Sequence, residues 1–456
     1  MAFHLLGLSA QNLMTDFQLQ DFGKMVNLPI SGNYGKRPAD PTQQARTGKA
    51  LKGDNILHYI NVASLYDMSI RDYMIKYDIH DFAIAEVEDI ASRYRDFKIL
   101  NSIYDYTDML KMAKTAELNL PHWKYLFIDE AQDLSTLLWV LVNRMAETTE
   151  HIIIAGDDKQ SINEFAGADV NTFLSIPGKV EVLEQSYRTP RAVYSLANRL
   201  MAKMSQYRPE GSNWKPRAEV GYVRRCGNNL PILKMLSGEW LVLARASYQL
   251  EAVREQLLRM SDDGAILFTI NGGSPIDLDA LRVISLFKEA ELKGPEFLKD
   301  MVTILDSHTI EQRKSRMDYI ALLKKFISCD TDKKLQPWEI TPEFTKKLEL
   351  PWAKAMDKLP PYLYQYIRKI YPLYLEKGEN LFADAKIRLM TIHAAKGREA
   401  DNVILVTDLP RTVVETMRYG DTDTEIKTLY VAVTRAKKNL YFFSKYPNRF
   451  SYLNYV

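Results

Sequence analysis

The sequence predicts an α/β protein whose parallel sheets are covered on both faces, with helical segments set apart from them. Three observations carry this. From Lys124 onward, short β-rich runs alternate with amphipathic helical patterns, the texture of parallel strands joined by crossover helices. Residues 1–118 carry apolar side chains at three- and four-residue steps among Asp, Glu, Lys and Arg. Residues 281–380 break the alternation with Lys/Arg/Glu-rich segments and a Pro/Tyr-rich run at Pro360–Tyr374.

Taken in order, the helical pattern is cleanest from Ile56 to Leu118, where Gly and Pro are absent. Asn27 to Gly53, rich in Gly, Pro, Asn and Lys, reads as a loop. The expected strands are Tyr125–Ile128, Ile152–Ala155, Val180–Leu183, Trp240–Leu243, Ile266–Ile270, Arg388–Ile392, Val403–Val406 and Leu440–Phe443. Amphipathic helices are expected at Thr136–Ala146, Pro190–Met204 and Tyr248–Met260. Residues 281–380 read as a separate helical insertion, and no internal repeat is present.

Composition narrows the function classes. The 456 residues give a prior of about three domains. Sixty Lys+Arg against 58 Asp+Glu leave a formal charge of +2. That excludes a protein that binds polyanions by bulk charge, though not a local basic groove. Cys226 and Cys329 are the only cysteines, so a four-cysteine zinc site or a disulfide framework is excluded. Two unpatterned thiols suit a reducing compartment. No apolar run reaches the ~18 residues of a membrane span, and the first eight residues lack the marks of a signal peptide. A soluble, cytoplasmic protein is the expectation.

Five segments carry chemistry. In Tyr125–Asp133 a buried apolar strand delivers Asp129 and Glu130 at its C-terminal end, where open α/β sheets place ligands. An Asp there can hold Mg²⁺, and a neighbouring Glu can orient a water for attack on a phosphoryl group. The plainer reading is an acidic loop capping the next helix. A second strand, His151–Gly156, runs into Asp157-Asp158-Lys159-Gln160-Ser161-Ile162. Gln160 could sense a terminal phosphate, or the segment could be a polar turn. In Leu183–Pro190, Arg188 offers a bidentate fork for phosphate and Tyr187 a flat face for a base. The last two segments are Arg388–Glu399, with Thr391, His393, Lys396 and Gly397, and Leu429–Lys438, with Arg435. In isolation Arg435 reads as a surface salt-bridge residue.

In this order and spacing the segments resemble the UvrD/Rep/PcrA branch of superfamily 1 DNA helicases. Tyr104–Leu110, like the branch's aromatic-Asp signature, and Trp240–Arg245 extend the likeness. It covers nearly the whole chain and is weakest at 20–100 and 281–380. The resemblance implies tandem RecA-like P-loop NTPase motor domains with helical insertions. It implies residues 1–118 as the insertion of the first motor domain and 119–184 as that domain's remainder. Residues 185–280 and 381–456 would form the second motor domain, and 281–380 its small insertion. It implies ATP and Mg²⁺, with Asp129 on the metal and Glu130 as general base. Gln160, Arg188 and Arg435 would contact the γ-phosphate, Tyr187 would stack on adenine, and Glu399, beside Gly397, would touch the ribose. Phe165, Thr391 and His393 would lie along single-stranded DNA, moved 3′ to 5′.

Two departures qualify the resemblance. The branch typically continues Gln-Ser-Ile with Tyr-Gly-Trp-Arg-Gly-Ala, whereas this chain reads Asn163-Glu164-Phe165-Ala166-Gly167-Ala168. Phe165 can still stack on a base, but the arginine is replaced by Ala166. Nor does a G-x-x-x-x-G-K-[ST] phosphate loop occur in the sequence. The segment Ala2-Phe3-His4 resembles one that enters the first helical insertion. The expectation is therefore a first motor domain truncated at its N-terminus, with strands left short of partners and apolar cover. Its complement would be a separate polypeptide supplying the phosphate loop, or the truncation would be simple. A non-hydrolysing DNA-binding remnant is the alternative function. A metal nuclease on Asp129, Asp133 and Asp157 is the third, and it lacks any further ligand cluster.

Overall fold

The computed structural model describes residues 6–31, 51–116, 120–205, 214–227, 230, 235, 237–260, 266–276, 361–419, 422–445 and 451–454. Ala2–His4 and residues 32–50, 277–360 and Cys329 lie outside the described residues. The expectations for the loop between 32 and 50 and for most of the 281–380 insertion fall there. Two compact units divide the chain. The first comprises Met1–Asn228, Leu243–Gln249 and Thr391–Val456, and the second Asn229–Val242 and Leu250–Met390.

The first unit begins with helices α1 (Asp16–Met25), α2 (Lys52–Leu65), α3 (Ile70–Lys76), α4 (Ile84–Leu100) and α5 (Tyr106–Thr115). The first four share a core of Phe22, Ile56, Leu57, Val62, Met74, Val87 and Tyr94. Helix starts are written into the sequence. Thr15 and Gln18 form a capping box on α1, and Asp105 and Asp108 form one on α5. The aromatic-Asp signature therefore has a structural job. Asp105 caps α5 while Lys98, 9% exposed, reaches its carboxylate at 2.7 Å. Gly53 lies inside α2, not in the expected loop. A Cβ there would meet Pro29 O at 2.7 Å and Ile30 Cγ1 at 2.5 Å, so a small residue is what lets this turn approach the helix.

Next come β1 (Trp123–Ile128), α6 (Thr136–Ala146), β2 (Thr149–Ile154) and the short α7 (Val170–Leu174). Strands β1 and β2 pair in parallel, with Phe127 opposite Ile153. Ala131, Trp139 and Val142 pack beneath with Ile128, Ile154 and Phe173. Among the described residues the opposite side is open: Tyr125, Phe127 and Ile153, which share it, are 50%, 70% and 48% exposed.

Helix α8 (Arg191–Met201) and β3 (Tyr222–Gly227) follow. Late in the chain come β7 (Ala400–Val406), α11 (Arg411–Tyr419), α12 (Asp423–Val433) and β8 (Ala436–Phe443). Strand β8 pairs in parallel with β3 on one side and β7 on the other. Val403–Val406 and Leu440–Phe443 are buried throughout, as expected of strands covered on both faces. In the same unit the buried Arg245 and Glu425 form an ion pair at 2.7 Å, to which Tyr452 adds a hydrogen bond at 3.0 Å.

The second unit holds α9 (Leu250–Arg259), β5 (Phe268–Ile270), α10 (Pro361–Lys377) and most of β6 (Ile387–Thr391). Strands β5 and β6 pair in parallel. Tyr366, fully buried, donates to Ile266 O at 2.9 Å. The division runs through β4 (Trp240–Ala244) and β6 themselves.

Two sequence expectations need correction. Val180–Leu183 forms no strand; Val180 and Leu183 are 81% and 89% exposed. Its β-branched composition finds no ladder to join, and β propensity without a neighbouring strand fixes nothing. Strand β3, whose Arg224-Arg225 pair interrupts the apolar run, was not expected.

Candidate nucleotide and nucleic-acid site

The sequence-predicted site residues all belong to the first unit. Strand β1 ends at Ile128 and hands the chain to Asp129 and Glu130. Glu130 adopts φ +52, a left-handed conformation uncommon for a residue with a Cβ. That turn lets its amide donate to Asp129 Oδ1 at 2.8 Å and lets Ala131 N–H donate to Ala155 O beyond β2.

A continuous chain of hydrogen bonds leaves Glu130. Gln132, fully buried, donates from Nε2 to Glu130 Oε2 at 2.5 Å, and its Oε1 accepts from Asp157 N–H at 2.9 Å. Gln160 Nε2 donates to Asp157 Oδ2 at 2.8 Å, and Arg435 Nη2 donates to Gln160 Oε1 at 2.8 Å. Arg435 is 1% exposed and is also held by Val431 O at 2.9 Å, so its guanidinium moves with α12.

Lysine 396 reinforces the same cluster. Its ammonium meets Asp133 Oδ2 at 2.6 Å, Gln160 O at 2.7 Å and Glu130 Oε2 at 3.6 Å. Burial nonetheless pushes the Asp133 carboxyl above its ordinary range, with Lys396 opposing. The roles of Gln132 and Lys396 were missed from the sequence, although both lie inside the segments singled out there. The available signals were a Gln two residues after the acidic pair and a Lys just before Gly397.

The cationic side of the cluster is strained electrostatically. The Arg435 guanidinium is pulled down to about 10, first by burial and next by the nearby Arg188 guanidinium. Arg188 Nε is buried with no hydrogen-bond partner, and Arg188 Nη1 lies 3.8 Å from Glu399 Oε2. Two crowded guanidiniums, one with an orphaned N–H, fit a polyanion such as a triphosphate. For a metal, the described residues hold no group of three candidate ligands. Mg²⁺ bound to phosphates needs only one or two carboxylates, and the exposed Asp129 fits that part.

Glu399 also meets Lys437 Nζ at 3.4 Å. Gly397 takes φ +75 with open space where a Cβ would stand. Tyr187 is 86% exposed and presents its ring to solvent. Thr391 is buried, and its Oγ1 accepts from Ala394 N–H at 3.3 Å, opening the turn that carries His393. His393 and Phe165 meet edge to face, with centroids 5.5 Å apart. Thus Glu130, Gln160 and Arg435 form one connected set, Arg188 and Glu399 a second beside Arg435, and Phe165 and His393 a third. Among the described residues, no hydrogen bond or ring contact brings Tyr187 to these sets.

Comparison with known proteins bears on the family. Residues 10–181 match the UvrD/REP helicase N-terminal domain, and residues 281–446 match the UvrD-like helicase C-terminal domain. The ATP-dependent DNA helicase PcrA of Bacillus subtilis (strain 168) is 23% identical over 454 residues, covering 78% of this chain and 60% of that protein. PcrA of Staphylococcus epidermidis is 26% identical over 147 residues, or 29% of this chain and 20% of that protein. PcrA of Staphylococcus aureus (strain Mu50) is 25% identical over 144 residues, with the same coverage. The chain thus spans at most about three-fifths of the length of these relatives. The parallel α/β layers are those of tandem RecA-like motor domains, and the chain belongs to the UvrD/PcrA-like helicase family.

Proposed function

We propose that this chain works as an ATP-dependent DNA helicase or translocase of the UvrD-like branch, moving 3′ to 5′ on single-stranded DNA. The observation that carries the reading is the unbroken hydrogen-bond path Glu130–Gln132–Asp157–Gln160–Arg435. It ties a carboxylate suited to activating water to a guanidinium suited to a transferring phosphoryl group.

In this reading Asp129 would hold Mg²⁺, which when bound would supply positive charge to offset that of the phosphates. Glu130 orients the attacking water and takes its proton. Gln160 reads the terminal phosphate, and Arg435 and Arg188 neutralise charge on it, a contribution of about 10³–10⁵ in rate for such arginines. Tyr187 stacks on adenine, and Glu399, two residues after the Gly397 turn, meets the ribose. Phe165, Thr391 and His393 contact single-stranded DNA or a single-stranded tail. Residues 119–184 serve as one motor part and 185–280 with 381–456 as the other, 1–118 and 281–380 being their helical insertions. A cytoplasmic location goes with this reading; among the described residues no helix is long and apolar enough to cross a membrane.

The test is direct. The purified chain is titrated with a fluorescent ATP analogue and with a labelled oligo(dT), and ATP turnover is followed with and without the DNA. DNA-stimulated turnover supports the reading. Binding of DNA and nucleotide without turnover favours a non-hydrolysing, regulatory DNA-binding role instead. Binding of neither removes both.

A further inference from the structure

Helix α12 touches the Gln160–Phe165 segment at two points. At its C-terminal end Arg435, anchored to Val431 O, donates to Gln160 Oε1. Two turns earlier Lys427 Nζ pairs with Glu164 Oε1 at 3.2 Å, with the lysine side chain 15% exposed and the glutamate 37%. From Lys427 to the helix end at Val433 there are six helical steps, a rigid span of about 9 Å, and Arg435 follows in the turn that ties its guanidinium to Val431 O.

Between the two contacts the segment has little freedom. Ser161 and Ile162 are fully buried. Tyr66, which caps α2, donates to Glu164 O at 2.9 Å. The turn Glu164–Ala166 closes on Gly167, whose φ is +91 and whose missing Cβ would stand 2.9 Å from Leu65 Cβ. The residue after Glu164 is Phe165, edge-on to His393. A displacement of Arg435 or Gln160 would therefore be carried along α12 to Glu164, and from there to the Phe165 ring.

We infer that the Glu164–Lys427 ion pair is a positioning pair that couples the nucleotide groups at Gln160 and Arg435 to the base-stacking group at Phe165. The inference rests on the proposed nucleotide and DNA sites and adds the means by which each changes the other's affinity. Ala166 brings no charge to this turn, so Glu164 is the charged side chain within it. A partly buried charge pair across two elements suits the task, because losing either member leaves the other without its counter-charge.

The experiment reads thermodynamic linkage and needs no turnover. The affinity of the full chain for a fluorescein-labelled oligo(dT) is measured with and without a non-hydrolysable ATP analogue plus Mg²⁺. The ratio of the two dissociation constants is the coupling, typically about 5–150-fold where two sites communicate. In E164Q and K427Q the ratio should collapse toward unity, while the affinity for each ligand alone stays close to the parent's. The double variant E164K/K427E should restore most of the ratio. Thermal unfolding of each variant checks that the fold is retained.

Single variants that keep the parent's ratio would overturn the inference and leave the proposed function standing. So would a charge-reversed pair that fails to restore it, because the loss would then follow packing and not charge. A parent that binds both ligands without linkage overturns it as well. A parent that binds neither overturns the functional reading itself.

Discussion

Two parallel strand layers in the same unit are built from similar sequence and treated in opposite ways. Val403–Val406 in β7 and Leu440–Phe443 in β8 are all 3% exposed or less. Tyr125-Leu-Phe-Ile128 in β1 and Ile152-Ile-Ile154 in β2 are as apolar, yet Phe127 is 70% exposed and Ile153 is 48% exposed. The first layer has a strand on each side of β8 and helices α8 and α12 packed on it. The described part of the second is two strands with α6 against β2. Apolar composition declares that a strand is meant for a covered sheet. It does not declare what covers it. The two layers also divide the chemistry: the acidic groups Asp129, Glu130 and Asp157 follow the open pair, whereas Arg435 lies between α12 and β8.

Charged substitutions should separate the layers most sharply. Leu405→Asp buries an unpaired carboxylate and should cost about 4 kcal/mol or more, whereas Phe127→Asp should stay within about 0.5 kcal/mol. Urea unfolding of the two variants measures the gap; similar losses would mean that the β1 face is covered in solution.

The chemistry should divide in the same way. Arg435→Ala should lower DNA-stimulated ATP turnover by about 10³-fold while changing single-strand affinity by about twofold or less. Parallel loss of both would detach Arg435 from the phosphate role. Phe165→Ala should do the reverse, weakening oligo(dT) binding by about 1–3 kcal/mol, the worth of one stacked base. Unchanged affinity would take Phe165 off the DNA path.

A last contrast uses a native thiol. Cys226 in β3 donates to Phe442 O at 3.1 Å, and burial pushes its thiol up to about 11. At pH 8 its thiolate fraction, and with it alkylation by iodoacetamide, should be about 100-fold below that of an ordinary thiol. A cysteine placed at Phe127 should react at the ordinary rate. The sign for stability follows. The unfolded thiol ionises near 9, the folded one near 11, so the folded state holds an extra proton between those values and stability falls as pH rises through that window.

Local features were readable. Helix α6 was expected at the residues where it forms, and seven of the eight anticipated strand runs fall on strands. Each depends on periodicity within one short stretch. The segments bearing Glu130, Gln160 and Arg435 were singled out differently, by their order along the chain and the family it resembles. Most of what escaped depends on distant partners, Gln132 beside Glu130 being the local exception. Lys396 meets Asp133 across 263 residues, and Lys427 meets Glu164 across the same separation. No spacing rule inside one segment announces such pairs. Val180–Leu183 failed for the complementary reason: its composition promised a strand, and no neighbouring strand was there to receive it.

The backbone at Glu130 has a further cost. With φ at +52, this side chain sits where glycine is most at ease, and such outliers carry strain of order 1–3 kcal/mol. Glu130→Gly would release that strain, but it would also leave the fully buried Gln132 Nε2 without its acceptor, a loss of about 1–3 kcal/mol. The two effects oppose, so the melting temperature should change little while the carboxylate is lost, and the ease of the backbone alone does not favour glycine at this codon.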